Sequence, residues 1–120
     1  MRCYPIVLRT LLLPLLLVLH VALHAQSVAA EGFHVEGLTT EERDGFERAS
    51  RNGTGPQLVL SCVPAGVLVF ASEGIAAGEG EARRAVLREA VAAVVPSERI
   101  SEGPITLQDA EARCAQARGR

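Results

Sequence analysis

Apolar and polar residues alternate along Phe33-His34-Val35-Glu36, which is the pattern of a strand with one buried and one solvated face. Gly37-Leu38 ends this strand. Thr39 then stands three residues before Glu42, an arrangement that predicts a helix starting with a capping box. Acidic residues crowd the first turn of this helix, and Asn52-Gly53 supplies a left-handed stop. The pattern therefore begins with a strand and a short helix.

Two apolar runs, Gln57–Val63 and Val67–Ser72, flank the turn sequence Pro64-Ala65-Gly66 and predict a β-hairpin. The longest helical pattern follows over Glu81–Val95 and ends before Pro96. The apolar positions at helical spacing predict its buried face, which consists of Ala82, Val86, Leu87, Ala90, Val91 and Val94. We expect the solvated face to carry Arg83, Arg84, Arg88 and Glu89.

The last part of the chain predicts a short strand and a third helix. Arg99–Ser101 lies between Pro96 and Gly103-Pro104 and is the strand candidate. Thr106 precedes Asp109 by three residues, as a helix N-cap does. The residues that then share one helical stripe are Leu107, Ala110, Cys114 and Ala117.

The predicted order of elements is β-α-β-β-α-β-α, and its first six elements follow the split β-α-β pattern of ferredoxin-like domains. We therefore expect an α+β fold in which residues 31–105 form a ferredoxin-like βαββαβ sandwich. Its four-stranded antiparallel sheet would carry two helices on one face. Residues 106–120 would add a C-terminal helix tethered to this domain.

The outward face of the predicted sheet combines polar ends with a strip of valines, and comprises His34, Glu36, Val59, Ser61, Val63, Val67 and Val69. If these valines are exposed, they form an apolar patch suited to a homodimer. In the alternative, the C-terminal helix covers them.

The first 30 residues have the three-part order of a secretory signal peptide. Arg2 and Arg9 precede the leucine-rich run Leu11–Leu19, and small residues follow up to the possible cleavage points. These points lie between residues 25 and 30, after Ala25, Ser27 or Ala30. The rival interpretation is an uncleaved anchor over Ile6–Ala25, since a membrane span needs about 20 apolar residues. We expect a periplasmic or secreted protein that meets the membrane only through this export signal.

Loss of the leader would also remove two of the twelve basic residues and leave ten arginines against fourteen acidic residues. No basic run and no set of aromatic platforms remains for gripping nucleic acid. His34 would be the remaining histidine, and no lysine or tyrosine would be left to act as a base near a nucleophile. We therefore expect no enzyme activity, no cofactor and no nucleic-acid partner.

Two cysteines would survive processing, Cys62 and Cys114. An even number of cysteines in an exported chain favours a disulfide, and a small aliphatic core gains stability from one. Closing a loop of this length stabilises by up to about 4 kcal/mol in the chain-entropy model. The alternatives are two free thiols used for metal or redox chemistry, and a buried structural pair.

The segment Phe33-x-Val35-x-Gly37-Leu38-Thr39, together with the export signal and the order of elements, resembles the heavy-metal-associated domain family. Members carry the loop Gly-Met-Thr-Cys-x-x-Cys, whose two thiolates hold a soft metal ion. In this chain Thr40 and Arg43 occupy the two cysteine places. A hydroxyl and a guanidinium are poor donors for soft metals. The resemblance therefore implies the family's scaffold without its metal ligands.

These observations favour a small exported binding or interaction module of the cell envelope, with an unidentified envelope protein as its partner. The alternative is a periplasmic protein that binds copper or zinc through Cys62 and Cys114, with or without His34. The alternation along the predicted sheet speaks against that set, because it turns Cys62 into the core and His34 outward.

Overall fold

A computed structural model describes residues 29–73 and 80–119 of the chain. Most of the expected signal peptide, including the cleavage points after Ala25 and Ser27, lies outside the described residues. The third point, Ala30, begins the first strand and pairs there with Ala71. Within the described part of the chain, no helix combines the length and apolarity needed to cross a bilayer.

Three strands and three α-helices make up an α+β fold. In chain order they are β1 (Ala30–His34), α1 (Thr40–Asn52), β2 (Leu58–Cys62), β3 (Val67–Ala71), α2 (Gly80–Ala92) and α3 (Leu107–Arg118), with a 3-10 turn at Ser97–Arg99 between α2 and α3. The strands form one antiparallel sheet in the order β1-β3-β2. The predicted hairpin and the three predicted helices are therefore present.

The expected four-stranded sheet is wrong. Of the predicted strand Arg99–Ser101, Arg99 ends the 3-10 turn and Ile100 makes an isolated bridge with Val35. A second isolated bridge joins Gly32 to Ile105 further along the chain. A Cβ atom on Gly32 would lie 2.5 Å from the carbonyl oxygen of Ile105, so this approach depends on a glycine. Pro96 and Pro104 bound the segment and cannot donate to a ladder, which helps to explain why pairing stops at single bridges.

Two arginines of α2 hold this segment in addition to its backbone hydrogen bonds with Gly32, His34 and Glu36. The Arg84 guanidinium donates to the carbonyls of Gly32 and Gly103, at 3.1 and 3.0 Å, and lies 4.5 Å from the centre of the Phe33 ring. Arg88 pairs with Glu102 at 2.8 Å. The sequence placed both arginines on the solvated face of their helix, and the structure turns them toward the chain that follows.

The buried face of α2 therefore differs from the prediction. Leu87 and Val91 are buried as expected, and Val95 joins them. Val86 and Val94 were predicted to face inward but are 44% and 49% exposed. Rotating the helix to bring its arginines over the 100–105 segment turns these two valines to solvent.

The main core lies between the sheet and the two helices α1 and α2, which share one face. It consists of Phe33, Val35, Leu38, Phe46, Leu68, Phe70, Leu87, Val91, Val95 and Ile100. Phe70 is at its centre, with ring centroids 6.2 Å from Phe33 and 5.9 Å from Phe46. Three aromatic rings thus tie the sheet to α1.

The C-terminal helix α3 covers the opposite face of the sheet. Val67 and Val69 are fully buried there with Ile105 and Ala110. The disulfide between Cys62 and Cys114 joins β2 to α3, as the sequence predicted. The predicted apolar patch for a homodimer is therefore absent at these two valines, and the alternative that the last helix covers them is confirmed.

A bulge between Leu58 and Leu60 changes which side chains of β2 share a face. Leu58 packs against the main core, whereas Leu60 packs on the α3 side. Val59 lies at the irregularity and is 42% exposed. A bulge places two residues opposite one, so the strict alternation predicted for this strand fails here.

Candidate functional site

The loop between β1 and α1 has the capped geometry that the sequence predicted. The Thr39 hydroxyl accepts from the Glu42 N–H at 3.1 Å, and the Glu42 carboxylate accepts from the Thr39 N–H at 3.0 Å. Gly37 has a φ of 64°, which favours glycine. The expected capping box is confirmed, and it leaves one face of the Glu42 carboxylate for another partner.

That partner is the guanidinium of Arg99, which occupies the loop. It donates to the carbonyls of Glu36 and Gly37, each at 2.8 Å. It also binds both carboxylate oxygens of Glu42, at 2.7 and 2.9 Å. The loop that was compared with a metal-binding loop thus encloses a cation that belongs to the chain itself.

The contact changes the protonation of both groups. The hydrogen bond from Arg99 is the main reason that the pKa of Glu42 falls from 4.5 to about 2, and the backbone N–H of Thr39 adds to it. The same hydrogen bond raises the pKa of Arg99. The pair therefore stays ionised from acidic to basic pH and fixes the loop to the 3-10 turn.

The residues at the two metal-ligand positions, Thr40 and Arg43, provide no metal donor inside the loop. Thr40 is the first residue of α1 and is exposed. Arg43 lies against Asp44 at 2.8 Å and near Glu47 at 3.8 Å. The sequence had no local signal for Arg99 as the occupant, because that residue is far along the chain.

The residues of the alternative metal site are not assembled as ligands. The sulfurs of Cys62 and Cys114 are bonded to each other, and these residues are 1% and 5% exposed. Both His34 and Cys62 pair with Val67, so they lie on the same face of the sheet and not on opposite faces as expected. Nowhere among the described residues do three His, Cys, Asp or Glu side chains form a group that could hold a metal ion.

One hydroxyl lies next to an imidazole. The Nδ1 atom of His34 is 3.1 Å from the Oγ of Ser101, and the structure describes no carboxylate hydrogen-bonded to this ring. The pair lies outside both surface grooves described next.

Two open grooves reach β2, the first along its outer edge and the second at Val59 alone. The first, about 280 Å³, lies between α1 and β2, and its lining residues are Glu47, Ser50, Arg51, Gln57, Leu58, Val59, Leu60 and Ser61. The second, about 860 Å³, lies at the start of α3, and its lining residues are Ala29, Ala30, Val59, Thr106, Leu107, Gln108 and Glu111. Val59 lines both grooves, so they meet at the bulge.

The outer edge of β2 is the open edge of the sheet. On the other side, β1 is bridged by Ile105, whereas no described strand pairs with the outer side of β2. Two contacts tie α1 to this edge: the Ser50 hydroxyl accepts from the Leu58 N–H at 3.0 Å, and the Ser61 hydroxyl donates to Glu47 at 3.2 Å. No charged side chain occurs within β2, so the protection of this edge is limited to the bulge between Leu58 and Leu60 and the Ser50 contact at the Leu58 N–H.

No protein-family model, curated protein or solved structure matches the chain. The resemblance to heavy-metal-associated domains therefore stays an expectation from the sequence.

Proposed function

We propose that this chain is a small exported interaction module of the cell envelope that binds a protein partner along the open edge of β2. The observation that carries this proposal is an uncharged edge strand with a groove along its outer edge and an exposed valine that also lines a second groove. An extended segment can add to such an edge through backbone hydrogen bonds, and neighbouring grooves can receive its side chains.

The rest of the sheet offers little surface for such a partner. One face lies under α1 and α2, the opposite face lies under α3, and the β1 side is bridged by the 100–105 segment. A partner that pairs with the sheet therefore binds it at β2.

Export is supported by the leader pattern in residues 1–30 and by the disulfide. Structural disulfides persist in oxidising compartments and are rare in the cytosol. The near-complete burial of both cysteines suits a structural bond, because exchange needs an accessible sulfur.

We assign no catalysis and no resident metal to this module. A soft-metal carrier would need the thiolates of Cys62 and Cys114, and the structure uses both sulfurs in one covalent bond. The resemblance to metal-binding domains does not contribute to the proposal, because a guanidinium fills the corresponding loop.

Site-specific photocrosslinking tests this proposal. A photoreactive residue at position 59 is expected to give one discrete protein adduct in the exporting cell. The same residue at Val86, which is equally exposed but lies on α2, provides the matched control and should give none. No adduct at position 59, or equal labelling from both positions, would show that the β2 edge is not the docking surface.

A further inference from the structure

The wall of the first groove carries one acidic and one basic side chain, Glu47 and Arg51, one turn apart on α1. The two positions are separated by about 6 Å along the helix axis. The Glu47 carboxylate is 40% exposed, and Arg51 is exposed with no hydrogen-bond or ion-pair partner among the described residues. Glu47 also accepts a hydrogen bond from the Ser61 hydroxyl and lies 3.8 Å from Arg43, so it offers the exposed part of its carboxylate. Both charges lie next to the edge of β2.

We infer that the partner at this edge is a second copy of the same chain, joined by antiparallel pairing of β2 with β2 about a two-fold axis. The inference rests on the proposed function, since it names the occupant of the same docking surface. A two-fold axis perpendicular to the sheet makes the two edge strands antiparallel and merges the two sheets into one.

The charge pattern on α1 is what such an axis requires. The axis keeps both α1 helices on the same face of the merged sheet and runs them in opposite directions. When it passes between the two positions, Glu47 of one copy faces Arg51 of the other, and the reverse contact forms at the same time. A two-fold interface brings each surface against itself, so a single-signed wall would place like charges together, whereas this wall pairs opposite charges.

The same pattern makes a charged peptide a poorer occupant. The two charges of the first groove offset each other, β2 itself has none, and the second groove adds one acidic side chain, Glu111. The edge therefore has no basic excess to attract an acidic segment and only one carboxylate in excess to attract a basic one. Near the axis, the exposed Val59 of each copy would bury apolar surface against the other copy.

Sedimentation equilibrium of the full chain, produced with its own leader in an exporting host, measures the association. The interface is small, so the series should run from about 1 µM to about 1 mM. We expect a monomer–dimer equilibrium within this range. Val59→Arg should abolish the dimer, because it places two charges at the axis, and the matched change Val86→Arg on α2 should leave it intact.

A charge exchange identifies the contact. Glu47→Arg and Arg51→Glu should each weaken self-association at least about tenfold, because each makes both cross-axis contacts repulsive. An equimolar mixture of the two variants should associate again, since both contacts between unlike chains are then attractive. The double variant should also dimerise. Arg51→Glu removes no hydrogen bond or ion pair within the described residues, but it places an acid in the last turn of α1. Association of the mixture therefore distinguishes a lost contact from a damaged helix.

A wild-type chain that stays monomeric across the whole series would overturn the second-copy inference, as would a mixture that fails to associate. Crosslinking at position 59 separates this failure from that of the proposed function. An adduct with a different envelope protein would contradict the second-copy inference but support an interaction module that binds another partner. An adduct between two copies supports the inference.

Discussion

The double substitution Cys62→Ala/Cys114→Ala is expected to lower the free energy of unfolding by about 3–4 kcal/mol. The bond closes a loop of 52 residues between β2 and α3, and removing it restores that loop's freedom to the unfolded chain. The loss should be large relative to the total stability of so small a domain. Urea unfolding followed by circular dichroism measures it.

Reduction of the wild-type chain provides the matched control for this change. The reduced protein should lose a similar amount of stability, and the double variant should not respond to reductant. A loss below about 1 kcal/mol would show that α3 is held to the sheet mainly by apolar packing, in which Leu107 and Ala110 take part. The bond would then not be the main attachment of the last helix.

Glu42→Gln is expected to destabilise the domain by about 1–2 kcal/mol at neutral pH. The amide oxygen can still accept from the Thr39 N–H, so the substitution mainly removes the charged pairing with Arg99. The lowered pKa of Glu42 means that its stabilisation is complete above pH 4.5 and is lost as the pH falls through about 2. The expected loss of stability is modest because the Glu42 carboxylate is still 20% exposed and solvent screens its charge.

The pH dependence is the diagnostic part of this prediction. The difference in unfolding free energy between wild type and Glu42→Gln should shrink between pH 4.5 and pH 2 and disappear at the acid end. Glu41→Gln, in the same helical turn but exposed, is the matched control and should show a much smaller difference. A constant difference for Glu42→Gln across this range would mean that the Arg99 pair contributes nothing.

Local patterns predicted the elements that depend on neighbours in sequence. The Thr39–Glu42 capping box and the Thr106 cap involve residues three apart, and the hairpin turns at Gly66, which has a φ of 64°. The Cys62–Cys114 pairing could be predicted because two cysteines remained and one of them lay on an apolar helical stripe. Each of these features needed only short-range pattern or simple counting.

The errors came from contacts between distant parts of the chain. An amphipathic pattern sets the buried face of a helix only approximately, and Arg84 and Arg88 turned α2 by binding carbonyls of segments that the sequence treats as unrelated. The same carbonyl contacts help to hold the segment that the sequence predicted as the fourth strand. Arg99 entered the loop near Gly37 for a similar reason, because backbone oxygens that accept a guanidinium have no sequence signature.

The sequence predicted part of the candidate site, and contacts between distant parts of the chain decided the rest. The sequence identified β2 and predicted that Val59 faces outward, but the bulge next to Leu58 decided which valines stayed exposed. The place of α3 over Val67 and Val69 removed the sheet face as a docking surface and left the edge. The roles of Ser50 and Arg51 depend on the packing of α1 beside that edge, which the sequence pattern does not predict.

The redox state of the two sulfurs tests the central claim most directly, because it separates a disulfide-bonded interaction module from a metal carrier. The measurement is thiol titration of the processed protein under denaturing conditions, with metal analysis of the same sample after gel filtration. The structure predicts no free thiol from Cys62 or Cys114 and no retained copper or zinc. Two free thiols together with bound metal would contradict the account and favour the carrier.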